Sequence, residues 1–305
     1  MVKKFDYFMF TVLLTIFALV SFGAIKGVTT YTFQRINQTI LEKDAEVALT
    51  AFSRRIETIE QMNLDWSQWD DSYYFIQDLN KNYIEANLTS ESLEAANVNF
   101  MLFFNKAGDV RHKESISLGA LEDTSLPAEV MNHTKEGSKI DIDKLIKEEK
   151  QQAGLLYTTN GTFLYSVSPI TLSDKSLPAN GALMMGRYIN DADEEELRNI
   201  TGLDLNILDF TDIGRYYEEV TLEDMQKGTV TTKYAGGNVI HVLARDSWGH
   251  PAKVISIKHD FVGSKEALTL ELIITGISVL FAAIFAKFSA VLFYNAVERN
   301  LPKEE

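Results

Sequence analysis

Two long apolar segments lie near the two ends of the chain. Residues 8–25, FMFTVLLTIFALVSFGAI, contain no charged side chain, and they are roughly long enough to cross the ~30 Å hydrocarbon core of a bilayer. Residues 272–293 contain a single charge, Lys287, whose long side chain can reach the membrane interface from near a helix end. The pattern predicts two transmembrane helices, at residues 8–28 and 266–294.

Positive charges flank both apolar segments on the side of the chain ends. Lys3 and Lys4 precede the first segment, and Arg299 and Lys303 follow the second. Because cytoplasmic flanks carry an excess of Lys and Arg, we expect both termini in the cytoplasm and the middle of the chain outside the cell. The predicted layout is a cytoplasmic N-terminus at 1–7, an extracytoplasmic domain at 29–265 and a short cytoplasmic tail at 295–305.

A cleaved signal peptide is the alternative interpretation of the first segment. Its apolar stretch is long for such a peptide, and the nearest small-x-small sequence, Ser21-Phe22-Gly23, is a poor cleavage site. We therefore expect an uncleaved membrane anchor.

The segment after the first apolar stretch is amphipathic at helical spacing. Apolar residues such as Phe33, Ile36, Ile40 and Phe52 recur among charged ones, and no Gly or Pro interrupts residues 28–74. The pattern predicts one long helix at 29–64, continuous with the first membrane segment or following it. A helix with such a stripe must bury it against a sheet or a partner helix.

From Asn99 onward, short apolar segments alternate with turn residues. The sequence Lys106–Asp109 and the pair Asn160-Gly161 each separate two such segments and predict hairpins. Residues 126–150 predict a helical insert that breaks near Gly137. Because successive hairpins favour antiparallel pairing, we predict an α+β domain with a single antiparallel sheet at 99–260.

Composition and charge exclude several functional classes. The absence of cysteine excludes disulfides, thiolate metal sites and cysteine nucleophiles. The formal net charge of −14 disfavours nucleic acid as a partner, since an acidic surface repels phosphate backbones. The five His residues show no metal-ligand spacing, and no hydrolase or metalloprotease motif occurs. We therefore expect neither an enzyme nor a cofactor.

The sequence DWSQWDDSYYF at 65–75 concentrates aromatic and acidic side chains. On a helix, Trp66, Trp69, Asp70 and Tyr73 fall on one face, and rings beside a carboxylate suit a cationic ligand. The alternative is structural: the Trp side chains anchor the helix to the sheet while Asp70 or Asp71 caps it. Arg187 follows an apolar strand segment, where it can pair with one of these acids or grip a ligand carboxylate. The candidate ligand-binding residues are Trp66, Trp69, Asp70, Asp71, Tyr73 and Arg187.

The sequence WSQWDDSYYFIQDLNKNYIEANL resembles the signature of the CHASE type-four family, which are extracellular sensory domains of bacterial and archaeal signalling receptors. The later segments GTFLYSVSPI, GALMMGRYI and ELRNITGLDLNILD are similar to the second half of that family. The resemblance extends from Ala45 to Ile257. It implies a PAS-like, Cache-related sheet carried on a long helix and flanked by two transmembrane helices.

Family members usually continue past the second membrane span into a histidine kinase, a cyclase or a related output. Here NAVERNLPKEE follows, with no kinase phosphoacceptor helix and no Gly-rich ATP-binding sequence. We therefore expect a membrane-anchored sensory module that binds a small molecule and relays the signal through its membrane helices to a separate partner. The expected partners are an unidentified small-molecule ligand, a second copy or a membrane signalling protein, and membrane lipid. The alternative function is a non-signalling surface binding or scaffold protein that keeps the sensor fold.

Overall fold

The structure, a computed structural model, describes residues 2–116, 128–135, 137–158, 161–218, 220–221, 223, 229–234, 237–260 and 264–299. The predicted helix start at Leu126, the turn residue Asn160 and the end of the cytoplasmic tail at 300–305 lie outside the described residues. The chain divides into two compact units. One unit comprises the two chain ends, up to residue 42 and from residue 260, and the other spans Lys43–His259.

Helices account for most of the first hundred residues, and the predicted long helix is confirmed. It continues through the first apolar segment as one element, α1. Among the described residues, α1 from Thr15 onward is the one helix long and apolar enough to cross a membrane, and the apolar stretch Thr269–Phe285 of the last helix is shorter. The helices are α1 Val2–Ser67, α2 Asp70–Asp78, α3 Lys81–Asn87, α4 Ser90–Ala95, α5 Ala128–His133, α6 Ile142–Glu148, α7 Asp191–Thr201, α8 Ile213–Tyr216 and α9 Ser264–Arg299.

The strands form two sheets, so the prediction of one sheet over 99–260 is wrong. The first, sheet A, has the order β2-β1-β5-β4-β3, and the second, sheet B, has the order β6-β9-β8-β7. Strand β5 already has β1 and β4 on its two edges, so β6 cannot pair with it and pairs with β9 instead. The strands are β1 Phe100–Asn105, β2 Val110–Ser115, β3 Gln152–Thr158, β4 Gly161–Ile170, β5 Gly181–Tyr188, β6 Asp204–Asp209, β7 Val230–Tyr234, β8 Gly237–Arg245 and β9 Pro251–Asp260.

The second half of α1 contacts both sheets: its end at Asn63 lies on sheet A, and Asp44 pairs with His259 at the end of β9 in sheet B, with 3.2 Å between Oδ2 and Nδ1. Along this part of the helix Ala45, Ala48, Phe52 and Ile59 are buried at helical spacing. Near the helix end, the buried amide of Asn63 donates to the carbonyl oxygens of β4 and β5, at 2.7 Å from Ser166 and 3.0 Å from Leu183. The amphipathic stripe predicted from the sequence is therefore buried in its C-terminal part, whereas Ile36, nearer the N-terminus, is 43% exposed.

The opposite face of sheet A carries the main apolar core. Side chains from β1, β4 and β5 pack there against α5 and α6, which form the predicted helical insert. The break between the two helices includes Gly137, whose φ of +68° suits a residue without a Cβ. The buried members include Phe100, Leu102, Phe104, Val130, Ile142, Phe163, Tyr165 and Met184.

The edge strand β2 differs from the strands inside sheet A. Its side chains alternate between half-buried and exposed positions, and the exposed ones include Arg111 and Lys113. By contrast, five of the six residues of its neighbour β1 are buried. The alternation is that of a strand with one face in water.

Sheet B encloses a buried histidine. His241 on β8 lies between two hydroxyl groups, with Nε2 at 2.9 Å from Thr232 Oγ1 and Nδ1 at 2.9 Å from Ser256 Oγ. The ring of Tyr217 packs edge-on against it, with 4.3 Å between ring centroids. Burial of the imidazole lowers the pKa of His241 to about 4, because the charged form loses its hydration.

This buried imidazole predicts acid-sensitive stability. In the unfolded chain His241 titrates near pH 6.5, so between about pH 6.5 and 4 the unfolded state binds more protons than the folded state. The free energy of unfolding should therefore fall as the pH is lowered through this window. Chemical denaturation at a series of pH values measures the slope, and a His241→Asn variant should show a shallower one. An equal slope in the variant and the wild type would contradict this origin.

Candidate functional site

The Trp-rich sequence forms a corner between two helices, which we call the Trp corner (residues 65–75). Helix α1 ends at Ser67, α2 begins at Asp70, and Trp69 between them has extended backbone angles, φ −80° and ψ 137°. The Ser72 hydroxyl donates to the Trp66 carbonyl, with 2.7 Å between the oxygens. The prediction that four of these residues share one face of a continuous helix is therefore wrong, because bonds from outside α1 satisfy its last carbonyl groups.

The two Trp rings of the corner stack on each other. Their centroids are 4.8 Å apart, their planes differ by 21°, and both side chains are half-buried. Tyr73 is buried and its hydroxyl donates to the Pro178 carbonyl at 3.3 Å. The side-chain amide of Asn180 donates to the Tyr73 carbonyl at 3.0 Å. These contacts dock the corner on the connection between β4 and β5.

The two acids of the corner have different environments. Asp70 Oδ1 accepts a hydrogen bond from the backbone N–H of Ser173 at 2.8 Å, in the same connection between β4 and β5. Asp71 is exposed at the first turn of α2. Asp70 and Tyr73 therefore hold the corner on the connection between β4 and β5, although the Asp70 side chain, like Asp71, is exposed.

Arg187 lies at the end of β5, away from the two acids of the corner. Its Nη2 atom is 2.5 Å from Asp193 Oδ1, and Arg55 Nη1 contacts the same carboxylate oxygen at 2.5 Å. The predicted pairing of Arg187 with Asp70 or Asp71 is wrong, because Asp193 at the start of α7 follows β5 closely and is fully buried beside it.

A second polar cluster lies where the turn between β8 and β9 meets sheet A. The Tyr165 hydroxyl donates to Ser247 Oγ at 3.1 Å and accepts from Gln152 Nε2 at 2.8 Å. Gly154 allows this approach, since a Cβ at that position would overlap Ser247 Oγ. Burial raises the pKa of Tyr165, which keeps its hydroxyl protonated as a donor.

Charged groups surround Trp248 in the same turn. Lys139 Nζ lies 4.8 Å from the centroid of the indole, and it is 3.7 Å from Asp246 Oδ2. His250 Nδ1 is 3.1 Å from the same carboxylate oxygen. Burial and the charge of Lys139 lower the pKa of the nearby His133. We refer to these residues as the Trp248 cluster: Lys139, Tyr165, Asp246, Ser247, Trp248 and His250.

Sequence reasoning identified Trp248-Gly249-His250 only as a turn. The turn contains an Asp and a Trp, as the Trp corner does. Its contact with β4 joins Ser247 to Tyr165, which are 82 positions apart in sequence. No local spacing predicts it. Among the described residues, no group of three or more His, Asp or Glu side chains is placed to hold a metal ion.

The different roles of the two acids in the Trp corner can be tested by matched substitutions. Asp70→Ala and Asp71→Ala each remove one charge from the first turn of α2, so their effects on the helix dipole are similar. Asp70→Ala also removes the hydrogen bond to Ser173. It should therefore lower the free energy of unfolding by about 1 kcal/mol more than Asp71→Ala, as measured by chemical denaturation. Equal losses would contradict the docking role of Asp70.

Known proteins resemble this chain over its middle region. A curated relative, the methanogenesis regulatory histidine kinase FilI of Methanothrix harundinacea, is 23% identical over 186 residues, which cover 60% of this chain and 20% of that protein. The chain thus spans about a fifth of the length of this relative. The periplasmic domain of Vibrio cholerae LuxQ aligns with a TM-score of 0.43 and 12% identity over 72% of this chain and 99% of that domain. The V. cholerae histidine kinase DctB sensor domain aligns with a TM-score of 0.38 and 8% identity over 73% and 98%.

A family model matches more than half of the chain. The model is described as the CHASE4 domain, and it matches residues 51–208. This range begins in α1, includes the Trp corner and sheet A, and ends in β6. The chain belongs to the CHASE4 domain family.

Proposed function

We propose that this protein is a membrane-anchored sensor that binds a small molecule outside the cytoplasm and relays binding to a cytoplasmic signalling partner. The observation that carries the proposal is the continuity of α1, which runs from the apolar N-terminal segment to the Trp corner of a CHASE4 sensor domain without a break. A helix of this kind connects a membrane segment directly to the sheet that would hold the ligand.

Anchoring is supported by the apolar side chains at both chain ends. Leu13, Phe17 and Val20 are exposed on α1, and Phe281 and Phe285 are exposed on α9. Contiguous exposed apolar surface of this kind is costly in water and favourable in hydrocarbon. We propose that both segments cross the membrane, with the termini in the cytoplasm and the sensor domain outside.

The Trp248 cluster is the favoured ligand region. It combines an aromatic ring, a cation and a buried hydroxyl at the rim of an apolar core, which is the chemistry of a small-molecule site. The Lys139 side chain is 37% exposed, so its ammonium can receive an anionic group from solvent. These features favour a ligand that carries a carboxylate. The Trp corner, through Trp66, Trp69 and Asp71, is the alternative site and suits a cationic ligand.

A thermal unfolding screen of the full chain in lipid nanodiscs tests the ligand proposal. Small carboxylates, amino acids and amines are compared at a series of concentrations. A ligand that binds only the folded state should add about 2.7 kcal/mol of stability at 100 times its dissociation constant. We expect a carboxylate to stabilise the protein and Lys139→Gln to abolish the effect. Lys135→Gln, four residues away and exposed, is the matched control.

The same screen separates the two candidate sites. Loss of the effect in Asp71→Asn but not in Lys139→Gln would move the ligand to the Trp corner. The absence of stabilisation by every class of compound would contradict small-molecule sensing and favour the scaffold function.

The absence of cysteine makes membrane topology directly testable. Lys81 in α3 is 84% exposed, so Lys81→Cys provides a reactive thiol on the sensor domain. A membrane-impermeant maleimide should label this variant in intact cells, whereas Lys3→Cys should be labelled only after permeabilisation. Labelling of both variants in intact cells would contradict the proposed orientation.

A further inference from the structure

We propose that α7 couples the long helix α1 to sheet B, so that a displacement of α1 against sheet A also displaces the edge of sheet B. This coupling would be the mechanical connection of the relay function proposed above. It rests on that function only in that the displacement would carry the signal of ligand binding. Two sides of α7 are bonded to different parts of the domain, and each set of contacts can be described by itself.

The first turn of α7 is bonded to α1 and to sheet A through one carboxylate. Asp193 is fully buried, and its Oδ1 atom lies 2.5 Å from both Arg55 Nη1 and Arg187 Nη2. Its Oδ2 atom accepts from the backbone N–H of Asn190 at 2.9 Å and closes a capping box. Three elements, α1, β5 and α7, therefore share one buried charge.

Arg55 binds α7 at two positions. Besides Asp193, its guanidinium contacts Glu196, with Nη2 and Oε2 2.5 Å apart. The Arg55 side chain is 11% exposed. A buried charge cannot lose its partner without a large desolvation penalty, so the ion pair resists any displacement of α1 that leaves α7 behind.

The other side of α7 is bonded to β6, the edge strand of sheet B. Arg198 Nε donates to the Leu205 carbonyl at 2.6 Å, and Arg198 Nη2 donates to Asn206 Oδ1 at 2.6 Å. Glu194 Oε2 accepts from the backbone N–H of Ile207 at 2.7 Å, and its other oxygen pairs with Arg198 at 2.7 Å. Side chains of α7 thus form hydrogen bonds with backbone groups on the outer edge of β6.

These two sets of contacts make α7 a rigid connector. The helix has 11 residues, about 16 Å at 1.5 Å per residue, and it is capped at both ends by Asn190 and Gly202. A short capped helix moves as one body. A shift of α1 that keeps the Arg55–Asp193 ion pair must therefore move Glu194 and Arg198, and with them β6.

Hydrogen exchange of the full chain in nanodiscs tests the coupling without any ligand. Arg55→Gln removes the link between α1 and α7 and leaves Arg187 to pair with Asp193. Arg54→Gln is the matched control, since Arg54 is the adjacent Arg of the same helix and is exposed. We expect Arg55→Gln to accelerate backbone exchange at least tenfold in α7 and in β6, while β3 on the far edge of sheet A is unchanged. Arg54→Gln should leave all of these segments as in the wild type.

The possible outcomes separate coupling from a local structural role. Acceleration confined to α1 and the first turn of α7, with β6 unchanged, would overturn the proposal. If Arg55→Gln accelerates exchange evenly over both sheets, Arg55→Lys decides, because it keeps the positive charge but lacks the two separate guanidinium nitrogens that contact Asp193 and Glu196. Faster exchange in β6 than in β3 for this variant supports coupling, and an even increase overturns it. Since no ligand is added, failure of the sensor proposal would appear in the ligand screen and not here.

Discussion

The structure of the domain depends on how the second half of α1 is buried. A helix with an apolar stripe gains stability only when that stripe leaves water, and α1 is buried along its stripe from Leu41 to Ile59. Apolar contacts alone allow a helix to slide along a sheet. Asn63 prevents this at one level, because its amide reaches two particular carbonyl oxygens, and Arg55 does so about 12 Å away along the helix axis. The position of α1 is therefore fixed by one polar contact within its buried apolar stripe and one beyond it.

The strand order of sheet A leaves no free edge on its central strand. The central strand β5 is paired on both edges, and the chain leaves it into α7 rather than into another hairpin. The following strands form a second sheet, and α7 is bonded to both. The Trp248 cluster brings the turn between β8 and β9 back onto sheet A. The two sheets are thus connected through the ion pairs of α7 and through the aromatic ring and hydroxyl groups of the Trp248 cluster. Strand β4 also contacts β9 directly, where the Thr162 hydroxyl donates to the Ala252 carbonyl at 3.5 Å.

Much of the secondary structure could be predicted from the sequence because its signals are local. Turn residues at Lys106–Asp109 mark the end of the apolar strand at Phe100, and acidic cap residues mark the start of α7. The division into two sheets could not be predicted in this way, since strand pairing depends on which edges are already occupied. The break in the Trp corner has no Gly or Pro to mark it, and it is stabilised by contacts with residues about a hundred positions away. The sequence marks Arg187 as a functional candidate but does not indicate its partner. That partner, Asp193, belongs to α7, whose acidic sequence predicts an exposed helix.

The exposed cations on β2 have a consequence for how copies of this protein can associate. A strand at the edge of a sheet offers unpaired backbone groups to any other strand, including the same strand of a second copy. In such a pairing Arg111 and Lys113 of the two copies would lie close together, and like charges opposite each other repel. Pairing of β2 with the same strand of another molecule is therefore disfavoured by two basic residues on the surface of an acidic protein.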